Sequence, residues 1–241
     1  MEEEIVLPSK RSKAERVNPK RMVIYGKYKT GKSTLIAALD GCLLLDFEEG
    51  SDFTEAMRIK IDSLATLRKV GTKIIEAGRP YPRIAVDTVT SLEDMCRELA
   101  IKLYRATPIG KNFEGDNILT LPNGAGYMWL RQAVESVLNY IDTLADDIIL
   151  LAQVRDKQIE VKGKEVAAID IDLTGKLRTI VCSKADAIGY LNRVGDQTLL
   201  SFVTKDEIIC GARPEHLRNK EIVVAETING EYKAYWDRIY K

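Results

Sequence analysis

The sequence has little of what most metal and nucleophile chemistry requires. Its 241 residues include a single histidine, His216, which argues against a histidine-based metal site or a catalytic triad. The four cysteines are widely scattered, form no C-x-x-C pair, and mostly stand in apolar runs, which is typical of reduced core thiols in a cytoplasmic protein. They are Cys42, Cys96, Cys182 and Cys210.

The sequence also lacks a charge excess and a membrane-length apolar run. Lys+Arg and Asp+Glu both number 36, so no global basic field indicates nucleic acid. A polyanion site would have to be local, or arise by assembling several copies. The acidic start of the chain has the wrong sign for a signal peptide, and we expect a cytoplasmic protein with no membrane partner.

One stretch has a specific pattern. Residues 26–33 read GKYKTGKS and fit G-x-x-x-x-G-K-[ST], after the apolar run 22–25 and before the apolar segment 34–39. This strand–loop–helix context distinguishes a P-loop from a chance glycine turn, which is the alternative. The predicted nucleotide-binding residues of the loop are Gly26, Lys27, Tyr28, Lys29, Thr30, Gly31, Lys32, Ser33 and Thr34.

Each fixed position of the pattern has a physical role. Gly26 and Gly31 allow backbone conformations in which successive N–H groups surround phosphate oxygens. Lys32 is expected to reach the β- and γ-phosphates as a point charge, and the Ser33 hydroxyl to complete a Mg²⁺ shell. ATP and Mg²⁺ are therefore the predicted cofactors.

Polar residues follow three further apolar runs, which we interpret as buried parallel strands. Ligands gather at the carboxyl edge of such sheets, so these residues are candidate site residues. The run 42–47 precedes Glu48 and Glu49, the run 84–87 ends in Asp87, and the run 148–152 precedes Gln153. Asp87 has the position of a Walker B aspartate, whereas Gln153 is equally compatible with a loop cap and a γ-phosphate sensor.

Other segments have clear local signals. Ser63 is expected to cap a helix that ends at Gly78, and Thr90 with Glu93 to form a capping box. A further helix is predicted over 126–144, a helical segment over 174–184, and two strands over 186–194 and 198–204. Residues 105–123 have the composition of a long mobile loop. We predict a flexible arm over 1–20 and one ATPase domain over 21–241.

Residues 154–170 are rich in charge. They predict either an exposed hairpin around 162–163 or a loop that becomes ordered on a ligand, and a solvated surface loop is the plain alternative. If copies of the chain assemble along a strand, Arg155, Lys157, Lys162 and Lys164 would form a basic stripe for a phosphate backbone.

The order of these features resembles the RecA superfamily. The resemblance implies an α/β fold with a RecA-like P-loop NTPase core: a mostly parallel central sheet flanked by helices, with antiparallel strands near the C-terminus. It implies that Glu48 is the catalytic base, with Glu49 as a second candidate, that Asp87 serves Mg²⁺, and that Gln153 senses the γ-phosphate. Lys32, Glu48 and Gln153 are thus the predicted catalytic residues, and Ser33 and Asp87 the metal residues.

More narrowly, the stretches 23–26, 45–50 and 184–191 resemble small phage-type nucleotide-binding proteins of the AAA-domain group, associated with single-strand annealing and recombination. The resemblance implies an ATPase stimulated by single-stranded DNA, which self-associates as a ring or filament and has a single-stranded DNA-binding protein as a candidate partner. A phage-encoded protein would act in the bacterial host cytoplasm.

One position departs from the family pattern. Related ATPases insert a K-x-R segment into the neighbour's nucleotide site, and here the place reads Gly211-Ala212-Arg213. Arg213 is the candidate trans arginine, with Lys205 or Arg218 as substitutes.

Two other functions fit the P-loop. A small-molecule or nucleotide kinase shares it, although no arginine-rich lid is evident. The third interpretation is a nucleotide-switched binding module resembling a helicase loader.

Overall fold

The computed structural model describes residues 7, 9–48, 54–161, 164–205 and 207–241, with the backbone alone for 159–161 and 164–167. In chain order its elements are β1 (Arg21–Tyr25), α1 (Lys32–Ala37), β2 (Cys42–Asp46), β3 (Arg58–Lys60), α2 (Leu64–Glu76), β4 (Arg83–Asp87), α3 (Val89–Arg105), α4 (Ala125–Ile141), β5 (Asp147–Ala152), β6 (Val154–Val161), β7 (Lys164–Ile171), α5 (Leu177–Ser183), β8 (Ala187–Val194), β9 (Gln197–Ser201), β10 (Gly211–Ala212), β11 (Glu221–Ile228) and β12 (Glu231–Ala234).

A ten-stranded sheet forms the centre, in the order β12-β11-β9-β8-β1-β5-β4-β2-β3, with β10 beside β8. The strands from β8 to β3 are parallel to their neighbours in this order. Strands β9, β10, β11 and β12 add antiparallel pairs, all from the C-terminal part of the chain. The predicted fold class is confirmed: helices flank a mostly parallel sheet that becomes antiparallel near the C-terminus.

The central strands are buried on both faces, which explains their unbroken apolar sequence. Along β1, Val23 and Tyr25 face a core formed with α2, α3 and α4. Met22 and Ile24 face the opposite core, which contains α1 and the C-terminal Trp236. Two apolar layers therefore fix the position of the strand whose carboxyl end leads into the glycine-rich loop.

The predicted cap of α2 is confirmed, and that of α3 is wrong. The Ser63 side chain accepts a hydrogen bond from the Thr66 N–H, 3.1 Å away. Helix α3, in contrast, begins two residues earlier than the capping box requires, because Thr88 directly after β4 has extended backbone and accepts from the Ser91 N–H. Glu93 accepts instead from the Thr174 N–H at 2.9 Å, across to the segment after β7.

Two regions predicted as loosely held make specific contacts. In the segment 105–123, Ile118 and Leu121 are buried, so the loop packs on the core at these points. In the arm, Arg16 donates to Asp147 at 2.7 Å, and Asn18 exchanges two hydrogen bonds with the backbone of Lys241. The division between arm and domain stays a prediction.

Candidate functional site

The carboxyl ends of four adjacent parallel strands meet at one edge of the sheet. Strand pairing sets Asp46 beside Asp87, Asp87 beside Leu151, and Ala152 beside Tyr25. The segments that follow β2, β4, β5 and β1 consequently leave the sheet side by side. This edge is where open α/β sheets bind ligands.

The glycine-rich loop connects β1 to α1, which confirms its predicted strand–loop–helix context. Lys29 and Gly31 have positive φ values of 60° and 91°, so the backbone turns through left-handed conformations on its way into the helix. Gly26 is needed for a different reason: a Cβ at this position would lie 2.6 Å from the Leu191 carbonyl oxygen on β8. Lys27, Tyr28 and Lys29 are exposed, and Thr30 is half-buried.

The ammonium group of Lys32 lies inside the loop. It donates to the carbonyl oxygens of Gly26 at 2.8 Å and Lys27 at 2.9 Å, and to Gln153 Oε1 at 3.0 Å. Burial lowers the pKa of Lys32, while the carboxylates of Asp87 and Glu48 act in the opposite direction. A buried cation whose hydrogen-bond acceptors are neutral is suited to an anionic ligand.

Ser33 and Asp87 form the candidate metal position. The Ser33 hydroxyl donates to Asp87 Oδ2 at 2.5 Å, joining the start of α1 to the end of β4. Burial is the main cause that raises the pKa of Asp87 to about 6. The negative charge of Glu48 also raises this pKa, whereas the hydrogen bond from Ser33 lowers it. The Ser33 hydroxyl and the Asp87 carboxylate are oxygen ligands of the kind that Mg²⁺ prefers.

The described residues contain no group of three or more His, Cys, Asp or Glu arranged to hold a metal ion. Within the described residues, Ser33 and Asp87 thus offer two oxygen ligands rather than a complete cage. This fits Mg²⁺ that takes most of its ligands from nucleotide phosphates and water.

Glu48 lies beside the start of α3. One carboxylate oxygen, Oε1, accepts from Thr88 Oγ1 at 2.7 Å and from Ser91 Oγ at 3.1 Å. Its own backbone N–H donates to Asp46 Oδ1 at 3.1 Å. Sequence reasoning missed the two hydroxyls, whose only signal was that they follow a candidate Walker B aspartate. The alternative base, Glu49, lies outside the described residues.

Gln153 connects the two charged groups. Its Oε1 accepts from Lys32, and its Nε2 lies 3.4 Å from Glu48 Oε1 and 3.5 Å from Oε2. Its backbone carbonyl accepts from the Asp172 N–H at 2.9 Å. The side chains of Lys32, Glu48 and Gln153 therefore form one contact network, next to the Ser33–Asp87 pair. Their predicted roles stay predictions.

A two-stranded hairpin begins directly after Gln153. Strands β6 and β7 pair over eight residues each. The sequence left open a hairpin or a loop for this segment, and the structure contains the hairpin. Arg155 and Lys157 are exposed on β6, and Arg178 forms an ion pair with the buried Asp170 near the hairpin base. Lys162 and the Lys164 side chain lie outside the described part of the chain.

The candidate trans residues do not share one location. Arg213 donates to Asp186 Oδ1 at 2.8 Å, and Asp186 precedes β8, at the edge of the sheet opposite the glycine-rich loop. Arg218 is close to it, donating to the Arg213 carbonyl at 2.8 Å. Lys205 is exposed and pairs with Ile208, in a segment that contacts the carboxyl end of β1. By position, Lys205 is nearer the candidate site.

Residues 18–213 match a family model described as an AAA domain. No curated protein matches the sequence. The chain is also similar to a crystal structure of the RadB recombinase, with a TM-score of 0.45 and 11% sequence identity, over 91% of this chain and 92% of that chain. No helix in the described residues has the length and apolar character needed to cross a membrane.

Proposed function

Because the chain belongs to the AAA domain family, we propose that it binds and hydrolyses Mg·ATP and that single-stranded DNA stimulates this hydrolysis. The observation that carries the proposal is the contact of Gln153 with both Lys32 and Glu48, directly before the hairpin of β6 and β7. A phosphate that attracts Lys32 away from Gln153 would change the contacts of Gln153, the residue that directly precedes β6.

The residues divide the chemistry between binding and proton transfer. Lys32 neutralises charge on the terminal phosphates, since it is already buried among neutral acceptors in the loop. Glu48 accepts the proton of the attacking water as general base. A bound Mg²⁺, held by Ser33 and Asp87, would supply charge neutralisation at the β- and γ-phosphate oxygens.

The DNA part of the proposal rests on the hairpin. Its exposed Arg155 and Lys157 are cations on the element that directly follows Gln153. The chain has no net charge, and these two cations give a single copy only a small basic surface. Several copies bound along a DNA strand would repeat that surface. We therefore propose self-association on single-stranded DNA, in a recombination or annealing process.

Phosphate release from Mg·ATP, measured with and without a homopolymeric single-stranded DNA, tests the proposal. We expect slow turnover of the protein alone and at least tenfold stimulation by DNA. Turnover that DNA leaves unchanged would contradict the coupling. Turnover that requires a small acceptor molecule would identify a kinase. Tight nucleotide binding without hydrolysis would identify a nucleotide-switched binding module.

A further inference from the structure

Two hydroxyl groups outside the predicted set of site residues hold the proposed base. Thr88 Oγ1 donates to Glu48 Oε1 at 2.7 Å, and Ser91 Oγ donates to the same oxygen at 3.1 Å. Both donors approach Oε1, and the nearest described donor to Oε2 is Gln153 Nε2, at 3.5 Å. The two carboxylate oxygens of Glu48 are therefore not equivalent.

The two hydroxyls lie at the start of a helix that is packed against the core. Thr88 is fully buried between Asp87 of β4 and the first turn of α3. The Ser91 backbone N–H donates to Thr88 Oγ1 at 3.3 Å, so the same hydroxyl caps the helix and donates onward to Glu48. Helix α3 is fixed in turn by Val89 and Leu92, which are completely buried in the core.

Glu48, in contrast, is an exposed side chain two residues beyond the end of β2. An exposed glutamate samples several rotamers, whereas a base must hold its proton-accepting oxygen within hydrogen-bond reach of the water. Two donors from a buried helix start restrict this freedom. They also occupy Oε1, which leaves Oε2 as the oxygen with capacity to accept a proton.

We propose that Thr88 and Ser91 are positioning residues, which orient Glu48 so that Oε2 acts as the base towards water. The proposal rests on the proposed function, in which Glu48 is the base of ATP hydrolysis. It predicts that removing either hydroxyl lowers kcat and leaves nucleotide affinity unchanged, because neither hydroxyl contacts the glycine-rich loop in the described structure.

The substitutions separate positioning from helix capping. Ser91→Ala removes a donor to Glu48 but keeps the capping bond, because that bond uses the Ser91 backbone N–H. Thr88→Val removes both functions of its hydroxyl, and Thr88→Ser keeps both. Thr90→Val is the matched control: it removes a hydroxyl of the same helix turn that donates to the Asp172 carbonyl instead.

The experiment measures kcat and KM for Mg·ATP, affinity for a fluorescent ATP analogue, and thermal stability of the full chain. We expect kcat to fall about 10-fold in Ser91→Ala and up to about 100-fold in Thr88→Val. Thr88→Ser should stay within about threefold of the wild type, as should the basal kcat of Thr90→Val. Nucleotide affinity should change less than about twofold throughout.

A double-mutant comparison decides whether the hydroxyls act through Glu48. In a Glu48→Gln background, Ser91→Ala should cause no further loss, because residues that act as a unit are not additive. An equal further loss in that background, or an unchanged kcat in Ser91→Ala, would overturn the proposal. Failure of the proposed function is recognised separately, since the wild type would then show no ATP turnover, and a wrong assignment of the base would leave full turnover in Glu48→Gln. If Thr88→Val does not fold, Ser91→Ala still decides.

Discussion

The amide oxygen of Gln153 lies 3.0 Å from the ammonium nitrogen of Lys32. One residue belongs to the glycine-rich loop and the other directly precedes β6, so a single hydrogen bond connects the phosphate-binding element to the hairpin. A ligand that draws Lys32 towards phosphate must weaken or redirect this bond. The connection gives a direct route by which nucleotide could alter the hairpin.

Replacing Gln153 tests this route. In Gln153→Ala we expect basal turnover to stay within about tenfold of the wild type, with loss of DNA stimulation, because the base Glu48 keeps its contacts with α3. Hydrogen exchange of the amides 154–161, with and without a non-hydrolysable Mg·ATP analogue, measures the effect. The nucleotide should change exchange in the wild type and much less in the variant.

Gln158→Ala is the control, because Gln158 is exposed on β6 and pairs with Ala167, away from the loop. A nucleotide-dependent exchange change that persists in Gln153→Ala would show that the hairpin responds by another path.

Glu48→Gln should lower hydrolysis strongly, to a small residual rate, and preserve nucleotide binding. The amide cannot accept a proton from water at neutral pH, and loss of a general base typically costs a factor of about 10²–10⁴. Phosphate release and equilibrium binding of a fluorescent ATP analogue measure the two properties. Glu49→Gln is the matched variant: if it stops turnover while Glu48→Gln does not, the base has been assigned to the wrong carboxylate.

Asp87 predicts an unusual pH dependence of stability. Burial raises its pKa from 3.8 to about 6, so the folded chain binds a proton here more tightly than the unfolded chain. The resulting stabilisation is complete below pH 3.8 and is lost as the pH rises through about 6. At about 1.4 kcal/mol for each pKa unit, the contribution is about 3 kcal/mol.

Asp87→Asn cannot titrate and should therefore be more stable than the wild type by about 3 kcal/mol at pH 8, and by about half as much at pH 5. Denaturant unfolding without nucleotide at the two pH values measures the difference. The same substitution should weaken Mg²⁺-dependent nucleotide binding, since it removes an anionic ligand. Equal free energies of unfolding for Asp87→Asn and the wild type at pH 8 would mean that burial of the ionised Asp87 carboxylate does not destabilise the fold.

The sequence allowed prediction of which residues end strands, and the carboxyl edge of a parallel sheet then brought Glu48, Asp87 and Gln153 together. It did not allow prediction of strand order: nothing local to β5 indicates that it lies between β1 and β4. Without that order, the contact of Gln153 with Lys32 could only be inferred from a family resemblance. Side-chain contacts across elements are set by tertiary packing rather than by spacing.

The start of α3 shows the same limit. The pattern 90–93 resembles a capping box, yet the helix begins at Val89 because Thr88 already provides the cap. From sequence alone, nothing distinguishes Thr88 and Ser91 from the polar residues found at the start of many helices. Their significance depends on Glu48, which is 40 residues away from Thr88 along the chain.

The exposed cations of β6 predict salt-dependent DNA binding. Reversing both charges, in Arg155→Glu with Lys157→Glu, should weaken single-stranded DNA binding at least tenfold and reduce the salt dependence of the binding constant. Each lost phosphate contact lowers the log–log slope by about 0.7 for single strands. Fluorescence anisotropy at several salt concentrations provides the measurement. Lys73→Glu, an exposed change on α2, is the control. Similar losses in both would indicate non-specific attraction.

The close approach of the glycine-rich loop to β8 predicts a steric requirement at Gly26. A methyl group there would lie 2.6 Å from the Leu191 carbonyl oxygen, and a backbone atom of a central strand cannot move aside easily. Gly26→Ala should therefore displace the loop and lower the affinity for an ATP analogue at least tenfold.

Gly195→Ala is the control. It also replaces a glycine, but at φ 59°, in the open turn between β8 and β9, with no heavy atom within 4 Å of the added carbon. It should cost about 1 kcal/mol of stability through backbone strain and leave nucleotide affinity unchanged. Equal nucleotide affinity in Gly26→Ala and the wild type would show that the loop accommodates the methyl group and that contact with β8 does not set its shape.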